Sequence, residues 1–322
     1  MSPSTAQPAW PGYRPWADTV ADCHREFTRV ARSFWLIPEI IPPVAREDVA
    51  LLYCFCRRLD DAVDDAATPA AATAALAAFQ NELTGVVPPR PLVAAFLAGA
   101  ARSGLPLGCA SALFDGMRSD LGPVRIDDDD SLIRYAYQVS SAVGLMLCPL
   151  LGVRDPAALP GAVDLGIALQ LTNILLGVAD DAAHDRVYIP RTRLAAAGIA
   201  PEDVIAGSDT VRLRSALTGL AGLAEVYYRS AEQTAPLVPL RYRHGILLLS
   251  RVYAGLGREA ARGARTFGGP AGLSPAAKLH RLLEVFALAW TPANLGLGHP
   301  PRHDAALHRG IAGWPGTDPA AA

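Results

Sequence analysis

The chain has 322 residues, with 29 Lys+Arg against 31 Asp+Glu, a net charge of -2 and 51% hydrophobic residues. That balance provides no basic field for nucleic acid and no acidic excess of the disordered kind, while the length suffices to bury a large core. Nucleic-acid partners are therefore excluded.

Residues 1–15 lack the charged start and apolar stretch of a signal peptide and are read as a flexible N-terminal segment. Long segments with apolar residues at helical spacing follow, punctuated by Pro and Gly, and alternating strand patterns are nearly absent. The spacing predicts helices near 16–35, 43–65, 70–85, 90–101, 106–119, 130–151, 156–182, 210–235, 239–266 and 275–290, and hence an all-α, single-domain bundle over 16–295. Pro42-Pro43 opens the second helix, where a missing N–H costs nothing. That helix ends in RRLDDAVDD (57–65), and its Asp60 and Asp64 are i,i+4 neighbours on one face.

Cys54 and Cys56 precede this motif and point in different directions on a helix, so they read as buried small hydrophobes rather than metal ligands. The five cysteines are odd in number and irregularly spaced, which suggests a reduced, cytoplasmic protein. DDDD (127–130) stands just before the helical run SLIRYAYQ and reads as an exposed N-terminal cap. The apolar run 142–153 falls short of the ~18 residues that cross a bilayer. No transmembrane segment is expected, although a greasy product is compatible with peripheral membrane contact.

The helix at 156–182 carries QLTNILLGVADD (170–181), in which Asn173, Gly177 and Asp181 repeat the i,i+4 step, with Asp180 beside them. From 296 to 322 the chain reads as a flexible tail. His299, His303 and His308 lie there at irregular spacing, with no Cys or acid fixed nearby, so solvation is favoured over metal binding. Two oxygen-bearing faces can oppose each other across a bundle cavity. Carboxylates so placed repel and are costly to desolvate, and Mg2+, which takes one or two carboxylates plus substrate phosphate, is the cation that best explains them. The expected site therefore grips a diphosphate through Mg2+, held by Asp60, Asp64, Asn173 and Asp181.

SFWLIP (33–38), Tyr53-x-x-Cys56-Arg57-x-x-Asp60-Asp61-x-x-Asp64, YAYQVSSAVG (135–144), LGIALQLTNIL (165–175), RVYIP (186–190) and SRVYAGLGRE (250–259) together resemble the squalene and phytoene synthases, a family of head-to-head prenyl-diphosphate synthases. The resemblance runs from about Phe34 to Leu283. It implies an isoprenoid synthase bundle around a central cavity, Mg2+ between two acidic helices with Asp180 joining Asp181 in the second metal-binding set, and ionisation of an allylic diphosphate. It also places Arg57, Gln170, Tyr188, Tyr253 and Lys278 around the diphosphate, Tyr53 among the groups near diphosphate or cation, and Tyr137 where a helix kink lines the cavity.

Departures from the family pattern cluster. The usual N-I-L-R-D-V-x-E-D is N-I-L-L-G-V-A-D-D here, so Leu176 replaces a base and Gly177 an acid. H-S-x-S-F is VARSF, with Val30 and Ala31 in place of polar contacts, and Pro270 stands where a base is usual. Two leaving diphosphates need more cationic support than this, so one diphosphate site is expected to survive. The vacated space, bordered by Val30, Ala31, Phe34, Ser141, Leu176 and Gly177, is expected to take a small aromatic acceptor, as in carbazole-prenylating branches of the family. The leading expectation is thus transfer of a prenyl group from a prenyl diphosphate donor to an aromatic acceptor. Head-to-head coupling, cyclisation of one prenyl diphosphate and a non-catalytic isoprenoid-binding role are the alternatives.

Overall fold

The computed structural model describes residues 20–31, 45–208, 210–263, 294 and 302–318. Helices dominate these residues, as the apolar periodicity requires: α1 Val20–Ala31, α2 Arg46–Asp64, α3 Pro69–Leu83, α4 Pro91–Ser103, α5 Leu107–Ser119, α6 Asp129–Ala136, α7 Ala142–Leu150, α8 Leu159–Ala183, α9 Arg191–Ala196, α10 Pro201–Ile205, α11 Thr210–Thr234 and α12 Leu240–Ala261. Local chemistry explains several boundaries. Thr68 accepts from the Ala71 N–H with Pro69 opening α3, and α4 stops at Gly104 in the left-handed conformation (φ 71°). Asp128 caps α6 by accepting from the Ser131 N–H, the role expected for the acidic run. α2 starts at Arg46, and the prolines expected to open it lie outside the described residues.

Phe55 of α2 is fully buried, stacks on Phe96 of α4 at 4.2 Å, and meets Phe79 of α3 and Phe114 of α5 edge-on. Burying one such ring contributes roughly 1.5–3 kcal/mol, so this cluster locks four helices to the flank opposite the α2 carboxylates. α8 runs through the centre, packed against α7, α11 and α12. Within Pro156–Ala183 an 18-residue window has a mean hydropathy of 1.7, and the helix is long and apolar enough to cross a membrane by length and composition. Here it is the central core helix, apolar on most sides because neighbours surround it.

The helix expected over 130–151 is interrupted by a π-helical turn at Tyr137–Ser141 between α6 and α7. Two short parallel strands, β1 Val124–Arg125 and β2 Arg186–Val187, pair in register Val124↔Arg186. Asp185 turns the chain out of α8 with φ 58° and is held by Arg125, whose Nη2 lies 2.5 Å from its carboxylate.

The segment expected to be a flexible tail is instead packed over 302–318. Trp314 meets Tyr137 edge-on at 4.9 Å, Tyr137 donates to the Pro315 carbonyl, and Tyr227 donates to the Leu307 carbonyl. Apolar and aromatic surface on α6, α7 and α11 gives this segment a place to bury Ile311 and Trp314, which a reading of its Pro, Gly and His content did not anticipate.

Candidate active site

Two helices supply the acidic residues. On α2, Leu52, Phe55 and Leu59 face the core, leaving Tyr53, Arg57, Asp60 and Asp64 on the flank that borders a half-open cavity. On α8, Ile167, Leu171 and Val178 are buried, and Gln170, Asn173, Gly177 and Asp181 step down the opposing wall. Between them lies an acidic compartment of about 240 Å³, completed by Asp120, Tyr135, Arg186 and Tyr188. It adjoins an apolar chamber of about 560 Å³, and Asp60, Met117, Gln170 and Asn173 border both. The chamber continues past Val139, Val143 and Leu169 towards Val153 and Ile246.

Electrostatics set the compartment apart. Asp60 opens into the cavity, whose walls limit its hydration, and this desolvation pushes its carboxyl up to about 7. Arg57 opposes the shift, and Asp64, Asp61 and Asp120 reinforce it. Desolvation likewise raises Asp181 to about 6 against the pull of Arg186, with Asp120 and Asp180 adding to the rise. Burial raises Asp120 too, although it accepts from the Tyr188 hydroxyl at 2.6 Å and the Tyr135 hydroxyl at 3.1 Å. Arg186 lies 4.0 Å from Asp64. Arg57, half-exposed at the rim, pairs with Asp61 at 3.0 Å, and Arg58 binds Asp61 and Glu26.

Carboxylates that burial and mutual repulsion drive towards protonation are what a divalent cation would relieve. The all-oxygen donor set of Asp60, Asp64, Asp181 and the Asn173 amide suits a hard ion. The residues present therefore fit Mg2+.

The structure brings together Asp60, Asp64, Gln170, Asn173, Gly177, Asp181 and Tyr188 at the acidic compartment, and Tyr53 and Arg57 at the chamber beside it. Other expected site residues go elsewhere. Asp180 is exposed and outside the compartment lining, because one residue of helix turns it about 100° from Asp181. Tyr137 and Ser141 are fully buried; Ser141 donates to the Val163 carbonyl, and the cavity wall is made instead by Val139, Ser140 and Val143. Leu176 packs on the core cluster and lines neither space, and Tyr253, part-buried on α12, lines neither. The side chains of Val30 and Ala31, and all of Phe34 and Lys278, lie outside the described residues.

Asp120, Tyr135 and Arg186 were not anticipated. Arg186 opens the RVYIP motif, which signalled it; Asp120 follows α5 with no spacing relation to another acid, so nothing local marked it.

Residues 27–282 match the family model described as squalene/phytoene synthase. A phytoene synthase of Pseudescherichia vulneris is 35% identical over 70% of this chain and 77% of its own. A 15-cis-phytoene synthase of Pantoea ananas is 31% identical over 84% of this chain and 92% of its own. Among solved structures, a dehydrosqualene synthase superposes with a TM-score of 0.71 at 26% identity, covering 83% of this chain and 95% of that one. The fold is also that of a squalene synthase from Alicyclobacillus acidocaldarius, at a TM-score of 0.65, 23% identity and coverage of 76% and 94%.

Proposed function

Since the chain belongs to the squalene/phytoene synthase family and is a prenyltransferase of that kind, we propose that it couples two prenyl diphosphates head to head. The observation that carries this reading is the junction at Asp60, Gln170 and Asn173, where an acidic compartment meets an apolar chamber. A diphosphate head and a prenyl chain need those two environments side by side. Asp60, Asp64, Asn173 and Asp181 would hold Mg2+, which when bound neutralises charge developing on the departing diphosphate.

The chain's own groups do the rest. Arg186 inside the compartment and Arg57 at its rim present guanidinium donors to phosphate oxygens. Tyr188 and Tyr135 hold Asp120 in place through their hydroxyls. Tyr53 borders the chamber beside Arg57 and Asp60, where its ring would stabilise an allylic cation, and the apolar walls offer few partners to water that would quench it. Coupling without an outside reductant balances when both C–O bonds break, each diphosphate leaves with its electron pair, a carbon–carbon linkage forms, and two protons depart.

The relatives reported are named for phytoene, dehydrosqualene and squalene synthesis, and the expected aromatic acceptor loses part of its basis here. Leu176 faces the core, and Gly177 borders the acidic compartment instead of an apolar one. The test incubates purified protein and Mg2+ with farnesyl or geranylgeranyl diphosphate, with and without carbazole. Formation of C30 or C40 hydrocarbon without acceptor is expected. Prenylated carbazole or a cyclised monomer as the main product would overturn coupling.

A further inference from the structure

A second cluster of ligating side chains lies away from the acidic compartment. Asp164 of α8 is fully buried, and two histidines of the C-terminal segment close on it: His303 Nε2 lies 2.9 Å from Oδ2, and His308 Nε2 lies 2.8 Å from Oδ1. Their side chains are 6% and 3% exposed, and the two rings are 4.3 Å apart. One donor atom from each of the three residues falls within 4.8 Å of the others. Asp164 precedes Asn173 by nine residues on the same helix, roughly 13 Å along its axis, so this cluster is separate from the diphosphate site.

The hydrogen bonding restricts what can occupy the centre. His308 Nδ1 faces the Thr317 carbonyl at 3.3 Å, and a carbonyl only accepts, so Nδ1 carries the hydrogen. In the neutral ring, Nε2 then turns a bare lone pair towards a carboxylate oxygen, which is repulsive unless a positive charge lies between them. A hydrogen on His308 Nε2 as well would make a buried imidazolium–carboxylate pair, which a Zn2+ titration separates from a metal site. A divalent metal takes both imidazole lone pairs and the carboxylate at once, and the Nδ1–H to carbonyl bond is the outer contact that metal-bound histidines commonly make.

We propose that Asp164, His303 and His308 form a structural zinc-type site that pins the C-terminal segment to α8. Two imidazoles with one carboxylate suit a borderline transition ion, whereas the oxygen-only preference of Mg2+ does not. At Zn–ligand lengths near 2.1 Å, tetrahedral donors stand about 3.4 Å apart, so the two short His–Asp contacts open by about half an ångström around the ion while the widest donor pair, within 4.8 Å, draws in. Water would supply the fourth ligand, as in zinc sites with three protein ligands.

The test uses the full chain, dialysed with saturating Mg2+ so that oxygen sites are filled, and then titrated with Zn2+ alone. One tightly held Zn2+ per chain is expected, with a rise in melting temperature. Co2+ in its place should show the visible absorption of a tetrahedral N/O site. His303→Gln, and the His303→Gln/His308→Gln pair, should weaken Zn2+ binding by at least about 100-fold, beyond the roughly 10–100-fold seen for outer-contact losses. Stoichiometric zinc retained in the double variant, or wild-type protein that gives no tetrahedral Co2+ spectrum, would overturn the proposal. The wild-type spectrum decides even if the variants misfold, and the outcome is independent of which prenyl product forms.

Discussion

Asp60, Asp64, Asp120 and Asp181 bring four carboxyl groups to one compartment of about 240 Å³, where Arg186 is the cation among the described lining residues. Their pairing is unfavourable without further positive charge, and this governs how each should respond to change. Asp60→Asn keeps the shape but removes an oxygen anion at the junction, so turnover should fall by at least about 100-fold with the circular dichroism unchanged, a loss like that of one preorganised transition-state contact. Retention of near-normal rates would place the metal elsewhere. The raised carboxyls also predict a pH effect. Asp60 near 7 and Asp181 near 6 bind protons more tightly folded than unfolded, so in metal-free protein they stabilise the fold at low pH and that contribution is lost as pH rises from about 4 to about 7. Denaturant unfolding across that window, with and without Mg2+, measures it; a rise in metal-free stability traced to these groups by Asp→Asn variants would contradict it. Asp60, Asp64, Asn173 and Asp181 were legible because i,i+4 spacing on an amphipathic segment is local information. Asp120 was not, because what makes it a site residue is Tyr188, 68 positions away.

The π-helical turn shows where periodic reasoning stops. A single helix over 130–151 preserves the 3.6-residue phase throughout, whereas Tyr137–Ser141 shifts it, so Tyr137 and Ser141 turn away from the cavity and Val139, Ser140 and Val143 turn in. The turn fits because two glycines admit it. A Cβ on Gly166 of α8 would lie 2.5 Å from Ser141 Cα, and one on Gly116 of α5 would lie 2.6 Å from Val139 Cγ1. Gly166→Ala meets backbone rather than a flexible side chain. It should destabilise by about 1–3 kcal/mol or more through overpacking, and it should lower turnover by displacing Val139 and Ser140; urea unfolding and product formation check both. Unaltered stability would mean that α8 and the turn can separate at no cost. α8 itself was foreseen closely in extent, but its apolar composition alone fits a membrane span equally well, and only its packing against α7, α11 and α12 makes it a core helix.

Closure of the bundle depends on segments far apart in the chain. Residues 302–318 seal Tyr137 and Tyr227, and Asp164 meets His303 and His308, 139 and 144 residues away. Trp314→Ala should cost about 2–4 kcal/mol, slightly below the usual range because the ring is only part-buried, and should lower the melting temperature by several degrees at roughly 2–4 °C per kcal/mol. A melting temperature within one degree of wild type would show that the segment contributes little. Sequence by itself determined the helical class, the two acidic faces, the family and the apolar content that drives burial of a large core, because each depends on residue identity and short-range spacing. Tertiary structure alone decided which acids share a compartment, that Leu176 leaves the site, and that the histidine-bearing terminus folds back onto α8. Those outcomes turn on desolvation and on contacts between residues tens to more than a hundred positions apart, and no local period encodes them.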